Sequence, residues 1–143
     1  AAGEIFAETY ACIPGEALMV DVVACEKSEI LFLNATKLFT TCPKACAHHS
    51  RLIHNLVQIF AEKNLNLSRR ILHCSSKTIR GRLLSYLSEQ AKMNGGYRFS
   101  IPYNRQQLAD YLGVDRSAMS NELSKMQRDG LLSYSRNSFV LKS

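Results

Sequence analysis

The sequence has little of what membrane and secreted proteins carry. Its longest apolar runs are only a few residues, far short of the roughly 20 that span a bilayer, and no basic segment followed by an apolar core opens the chain. Its five cysteines are an odd number with no Cys-x-x-Cys pair, so we expect reduced thiols and no disulfide framework. These absences predict a cytoplasmic protein with no membrane partner.

Motifs of the common enzyme classes are absent as well. The chain shows no Ser-His-Asp order, Gly-rich phosphate loop, His-Glu-x-x-His sequence or paired acidic site. We therefore predict that the protein is not an enzyme and holds no cofactor.

Positive charge is concentrated in the C-terminal half. The formal net charge is +6, and residues 1–75 hold seven Lys or Arg against seven Asp or Glu. Residues 76–143 hold eleven against five, so the whole excess lies there. A basic module joined to a neutral one indicates a nucleic-acid binder. A solvated basic surface is the alternative explanation.

The first part of the chain has the pattern of β structure. Residues 17–24 and 29–33 are apolar and partly β-branched, and turn residues precede each of them. No helical period fits residues 1–34, so we predict short strands of an antiparallel β structure.

A long amphipathic helix is predicted from about Pro43 to Cys74. Its apolar residues recur mainly at spacings of three and four, and they are Leu52, Ile53, Leu56, Val57, Ile59, Phe60, Leu67 and Ile71. At 1.5 Å per residue the helix would be roughly 45 Å long. A helix of this length with one apolar stripe usually pairs with another helix, so we predict self-association.

A second helix is predicted from Lys77 to about Met93. Ser75-Ser76 supplies an N-cap and Asn94-Gly95-Gly96 ends the helix. Residues 97–101 then alternate as a short strand. The predicted buried face of the helix consists of Ile79, Leu83, Leu84, Leu87 and Ala91.

Residues 105–124 have the pattern of a helix-turn-helix. The small Ala109 lets two helices approach, Gly113 reverses the chain, and Asp115 caps the second helix, whose Met119 closes the shared core. An αα-hairpin of another kind would imitate part of this pattern. The inward-facing residues are Leu108, Ala109 and Leu112 in the first helix, and Met119, Leu123 and Met126 in the second.

Two alternating segments follow the motif. Residues 131–135 and 138–141 flank the polar turn Arg136-Asn137 and predict a β-hairpin. A helix-turn-helix followed by a hairpin is a winged helix.

The second helix of such a motif enters the major groove of DNA. Arg116 suits guanine O6 and N7, and Asn121 suits adenine or a phosphate. The alternative interpretation is that each of these side chains is a solvated polar group that does not contact DNA. The candidate DNA-binding residues are Arg116, Ser117, Ser120 and Asn121 on the helix, and Arg105, Gln106 and Lys125 for backbone contacts.

Residues 105–132, RQQLADYLGVDRSAMSNELSKMQRDGLL, resemble the CRP/FNR family of bacterial transcription regulators. The resemblance implies an α+β fold in which part of an antiparallel, cupin-like or cyclic-nucleotide-binding-like β-roll sensor occupies residues 1–41. A long dimerisation helix would occupy residues 42–75, and a winged helix-turn-helix residues 76–143. It also implies a homodimer on a palindromic operator, with RNA polymerase as a further partner.

The opening residues Gly3–Glu8 resemble a segment that lies well inside the family's sensor domain. This implies that the first half of the β-roll is missing, in agreement with the missing initial Met. Family members that bind cyclic nucleotides hold the phosphate with an arginine shortly after this segment, whereas residues 1–26 contain no Lys or Arg. A buried phosphodiester would meet Glu8, Glu16 and Asp21 without a cation. We expect an unknown small-molecule or redox effector other than cyclic AMP.

The recognition helix also departs from the family. Ser117 and Asn121 stand where well-known members place Glu and Arg. The operator sequence of those members is therefore not expected to carry over, although the docking mode is.

A cysteine-histidine cluster at the start of the long helix supports an alternative function. Cys42 and Cys46 are four residues apart, so both could share one helical face with His49 near them. Two thiolates and an imidazole suit Zn²⁺ or a redox sensor, whereas packing cysteines beside exposed histidines are the simpler explanation. The alternative is a metal- or redox-sensing protein whose winged helix contacts another protein.

Overall fold

The computed structural model describes residues 4–35, 37 and 47–142. The chain divides into two units, Ala1–Ala61 and Glu62–Ser143. Their boundary falls inside the longest helix, so that this helix belongs to both units.

The first unit lacks the strands predicted for it. It contains a short helix, α1 (Glu8–Cys12), but neither 17–24 nor 29–33 forms a strand, and the large apolar side chains of both segments are exposed. A strand is stable only when a neighbour takes up its backbone hydrogen bonds, and no described segment pairs with these two. The strand prediction is wrong, and the β-roll assigned to residues 1–41 is not confirmed.

The longest helix, α2 (Ala47–Cys74), has 28 residues and is about 42 Å long at 1.5 Å per residue. The predicted helix is confirmed over this range, while its predicted start at Pro43 lies outside the described residues. Within its apolar stripe, Val57, Leu67 and Ile71 are 58%, 61% and 70% exposed. The pairing of this helix stays a prediction.

The next helix, α3 (Ile79–Met93), begins later than predicted. Its N-cap is Thr78, whose extended backbone lets the side-chain oxygen accept a hydrogen bond from the Gly81 N–H (3.1 Å). The cap predicted at residues 75–76 is wrong because Ser75 ends α2 instead: its Oγ donates to a carbonyl of that helix at 2.7 Å.

The predicted helix-turn-helix is confirmed as helices α4 (Arg105–Leu112) and α5 (Arg116–Arg128). Asn104 begins α4 with a capping box, in which side chain and backbone of two residues satisfy each other. Gly113 ends it in the left-handed region (φ 63°), which glycine adopts without steric cost. The Asp115 carboxylate caps α5, as predicted, by accepting a backbone N–H at 2.8 Å.

The hairpin is confirmed, and it forms part of a larger sheet. Strands β2 (Leu132–Ser135) and β3 (Ser138–Leu141) pair antiparallel, and β1 (Arg98–Ser100) adds to the free edge of β3, giving the order β1-β3-β2. Phe99 lies opposite Phe139 across β1 and β3, with ring centroids 6.3 Å apart.

One apolar core joins α3, α4, α5 and the sheet. The core side chains with no exposed surface are Leu83, Leu87, Leu108, Ala109, Leu112, Met119, Leu123, Met126, Leu132 and Phe139.

Within the described ranges, no helix combines the length and apolar character that crossing a membrane requires.

Candidate nucleic-acid interface

One face of helix α5 packs against the core, and the other is exposed to solvent. Met119, Leu123 and Met126 are fully buried, whereas Arg116, Ser117 and Asn121 are exposed. Ser120 is half-buried, and its backbone carbonyl accepts a hydrogen bond from Ser124 Oγ at 3.0 Å. The four residues predicted to contact bases therefore lie in the N-terminal half of one helix, and three of them are open to solvent.

A groove of about 810 Å³ lies where the starts of α4 and α5 meet the hairpin turn. Three arginines reach it, and none of its described lining residues is acidic. Like charges that converge in a concave surface raise the local positive potential and attract anions. The lining residues are Asn104, Arg105, Gln106, Arg116, Ser135, Arg136, Asn137 and Ser138.

Arg105 enters this groove as a half-buried side chain held by two rings of the hairpin. Its guanidinium carbon lies 4.8 Å from the ring centroid of Tyr134 and 5.3 Å from that of Phe139. Burial lowers the pKa of Arg105, yet an arginine remains protonated in proteins. Its Nη1 atom is buried and meets no hydrogen-bond acceptor among the described residues. The structure therefore presents a half-buried cation that is held against two aromatic rings.

The other two predicted backbone contacts are exposed. Gln106 lines the groove, and its Nε2 donates to Asp110 Oδ1 at 2.8 Å within α4. Lys125 lies further along α5, outside the groove lining, with its Nζ 3.9 Å from Glu122 Oε2. The structure thus brings Arg105, Gln106 and Arg116 together but leaves Lys125 apart from them.

Two carboxylates, one in the middle of α5 and one at its C-cap, are held by a cation from another helix. Arg80 of α3 donates from Nε to Glu122 Oε1 at 2.6 Å and contacts Asp129 Oδ2 through Nη2 at 2.7 Å. The hydrogen bond to Glu122, followed by the one to Asp129, raises the pKa of Arg80. One positive charge thereby offsets part of the negative charge of these two carboxylates.

The turn between α4 and α5 is held by a second arginine of α3. Arg82 Nη1 donates to the carbonyls of Leu112 and Gly113 at 2.9 and 3.1 Å, and its Nε donates to the Ser76 carbonyl at 2.8 Å. Carbonyls at a helix end lack partners within the helix, so this side chain satisfies them and fixes the turn.

Arg136 is the groove residue that the sequence reasoning missed. It occupies the hairpin turn with a φ of 50°, a left-handed conformation that few non-glycine residues adopt. The polarity of residues 136 and 137 predicts the turn but gives Arg136 no role in binding. The sequence does contain one signal for such a role, because it places a cation at the tip of a hairpin directly after a helix-turn-helix.

The cysteine-histidine cluster is only partly described. Cys42 and Cys46 lie outside the described residues, and of the three proposed ligands only His49 is described. Among the residues that the structure covers, no group of three or more His, Cys, Asp or Glu side chains could hold a metal ion.

Comparison with known proteins identifies the C-terminal part. Residues 81–143 match the family description of the Crp-like helix-turn-helix domain. No curated protein matches the chain. The match does not favour the metal- or redox-sensing alternative. It indicates a DNA-binding regulator that carries a Crp-like domain in its C-terminal part, and proteins with this domain are generally not enzymes.

Proposed function

We propose that the protein is a sequence-specific transcription regulator of the CRP/FNR type that binds a palindromic operator as a homodimer. One observation carries the proposal: Arg105, Arg116 and Arg136 converge on a groove without a described carboxylate, beside the exposed N-terminal half of α5. DNA carries one negative charge per roughly 1.7 Å of its axis, so the positive charge of this groove is complementary to that of the DNA backbone.

Arg116 and Asn121 are the residues that read bases in this proposal. Arg116 is the first residue of α5 and is exposed, as is required of a side chain that forms a bidentate pair with guanine O6 and N7. Asn121 is one and a half turns later and suits adenine N6 and N7. Ser117 and Ser120 are the further contacts on the same part of the helix.

Backbone phosphates are bound by the residues around the helix. Arg105 is supported in this role by the two rings that hold it, because a preordered cation loses less conformational freedom on binding. Arg136 is supported by its place in the same groove. Gln106 and Lys125 complete the set through their exposure. These contacts set affinity and register rather than base preference.

Dimerisation is assigned to residues 42–75. The exposed apolar side chains Val57, Leu67 and Ile71 of α2 support this role, since burying them against a second copy would remove them from water. Two recognition helices related by a two-fold axis would meet half-sites about 34 Å apart, one turn of B-DNA.

The regulatory parts of the proposal extend to the rest of the chain. Residues 1–41 are assigned to the sensor, and the effector is a small molecule or redox signal other than cyclic AMP, because residues 1–26 provide no Lys or Arg for its phosphate. Residues 76–143 are assigned to DNA, with RNA polymerase as the partner that transmits the signal.

The test is selection of the full chain on random duplexes across a salt titration, followed by sequencing. We expect enrichment of a palindrome with half-sites one helical turn apart. Arg116→Ala should weaken binding to that palindrome by about 1–3 kcal/mol and relax the preference at one base position. Arg98→Ala, which removes a cation from β1 outside the groove, is the matched control. Unchanged affinity and base preference in Arg116→Ala would remove Arg116 from the proposed interface. Salt-dependent binding without any enriched sequence would contradict sequence-specific recognition.

A further inference from the structure

The apolar residues of α2 are spaced as in a coiled coil. Steps of four and three residues alternate along the helix, and this spacing keeps the residues on one narrow stripe, which we call the heptad seam. Asn64 lies at the centre of the seam and is its one amide side chain. The seam consists of Ile53, Val57, Phe60, Asn64, Leu67, Ile71 and Cys74.

In the second unit the heptad seam is open to solvent. Leu67 and Ile71 are 61% and 70% exposed, and Asn64 is exposed as well. A different side of the same stretch is already occupied, because Arg70 contacts α4 and His73 contacts α3. The seam therefore remains available to a second copy of the helix.

The residue types along the seam match a parallel pair of helices. β-Branched residues at one of the two alternating seam positions, with leucine at the other, favour two strands. Val57 and Ile71 share the first kind of position with Asn64, and Leu67 occupies the second. In a parallel pair in register, each residue of the first kind meets the same residue of the second copy. Asn64 would therefore meet Asn64.

The chemistry of the Asn64 amide selects this register. A side-chain amide both donates and accepts, so two of them can hydrogen bond to each other. A shift by one heptad would place Asn64 against Val57 or Ile71 of the second copy. Antiparallel pairing would place it against Phe60 or Leu67. In either case a buried polar group would lose its partner, which costs free energy.

The charges beside the seam favour the same orientation. Lys63 and Arg70 lie on one flank of the seam, and Ser68 lies on the other. Opposite flanks meet in a parallel pair, so that Lys63 faces Ser68 of the second copy. Like flanks meet in an antiparallel pair, where basic side chains would face each other and repel.

We propose that Asn64 sets the register of the dimer by hydrogen bonding to Asn64 of a second copy across the heptad seam. The proposal rests on the homodimer of the proposed function and adds the residue that aligns its two helices. Pairing in register creates a two-fold axis along the helix pair, and both DNA-binding motifs then follow the same end of the pair. A palindromic operator requires this symmetry.

The test measures subunit exchange between the wild type and Asn64→Val, both as full chains. Valine at this position preserves two-stranded pairing, but it leaves the amide of a mixed dimer without a partner. Equal amounts are mixed, left to exchange, and counted as homodimers and heterodimers by native mass spectrometry. Random pairing gives half heterodimers, whereas we expect less than about one fifth, from the cost of one unpaired buried amide.

Two further variants complete the test. Asn64→Ala also lacks the amide and should deplete the heterodimer in the same way. Asn55→Val is the matched control, because Asn55 is exposed on the same helix and lies outside the seam. It should exchange with the wild type at random.

Each contrary result identifies a different error. A wild type that is monomeric at every concentration would overturn both the homodimer and the register role of Asn64. A dimer that exchanges at random with Asn64→Val would overturn only the role of Asn64, and would place the contact elsewhere, for example at the exposed Leu65 and Leu72 outside the seam. Equal depletion with Asn55→Val would show that the preference does not arise in the seam.

Discussion

Arg70 of α2 holds the end of the first helix of the DNA-binding motif at Tyr111. Its Nε donates to the Tyr111 carbonyl at 3.1 Å, and its guanidinium carbon lies 5.7 Å from the centroid of the same tyrosine ring. Its Nη2 donates to the neighbouring Asp110 carbonyl, also at 3.1 Å. The last carbonyls of a helix carry partial negative charge and lack partners, so a cation of the long helix here completes the end of α4.

Replacing Arg70 should loosen this junction. We expect Arg70→Met to lower the free energy of unfolding by about 1 kcal/mol, because it removes two charge-assisted hydrogen bonds at an exposed position. Urea denaturation measures the change. Arg51→Met, at another exposed arginine of α2, is the matched control. Equal unfolding free energies for the two variants would show that the Arg70 contacts do not stabilise the fold.

Gly113 is required for its backbone conformation rather than for space. A Cβ at this position would meet its nearest neighbour, Arg82 Nη1, at 3.7 Å, which is ordinary contact. Gly113→Ala should therefore cost about 1–2 kcal/mol through left-handed strain alone, and Gly113→Asn should cost less. Gly96→Ala, at an open position without a left-handed φ, should be near neutral. An alanine at 113 that is tolerated as well as one at 96 would refute the strain argument.

Substituting Arg136 should weaken DNA binding without lowering the stability of the fold. Arg136→Asn removes a groove cation, yet asparagine adopts a positive φ more readily than arginine does. We expect unchanged or slightly higher thermal stability, weaker DNA binding on every sequence, and a salt slope reduced by about one unit. Lys92→Asn removes the same charge from the end of α3 and serves as the control. Full DNA affinity and an unchanged slope in Arg136→Asn would show that the turn makes no phosphate contact.

Alkaline pH should destabilise the protein through Tyr86. Burial raises the pKa of this tyrosine in the folded state, whereas in the unfolded chain it titrates near its ordinary value of about 10. Above that value the unfolded state has lost the proton that the folded state retains, so stability falls as pH rises. The unfolding free energy of Tyr86→Phe, measured by urea from pH 8 to about pH 11, should fall less steeply than that of the wild type or of Tyr97→Phe. Parallel slopes for all three would contradict the shifted pKa.

The helix-turn-helix could be predicted because its determinants are local. Ala109, Gly113 and Met119 all lie within residues 109–119, and Asp115 caps the helix that it precedes. The strands predicted at 17–24 failed for the opposite reason, since a strand depends on a distant partner that its own sequence does not specify.

The candidate sites, like the fold, could be predicted only in part from the sequence. Polarity and position were enough to propose Arg105 and Arg116, but the rings that hold Arg105 come from the hairpin, which only the fold brings close to it. The apolar spacing of α3 does not predict Tyr86, because the predicted buried face contains only aliphatic residues. Tyr103 and Tyr111, the neighbours of Tyr86, follow in a loop and another helix, so no periodicity could have linked them.

Strand β1 affects how wide the arginine-lined groove of the protein can become. A two-stranded hairpin alone is marginally stable in water, but β1 pairs with β3 through Arg98–Ser100 and fixes the hairpin from its other side. Only residues 101–104 separate β1 from α4, so this short linker ties the wing tip to the helix that starts at Arg105. The linker therefore acts as a spacer. Lengthening it by a residue would change the distance between two walls of the groove without substituting any residue that lines it.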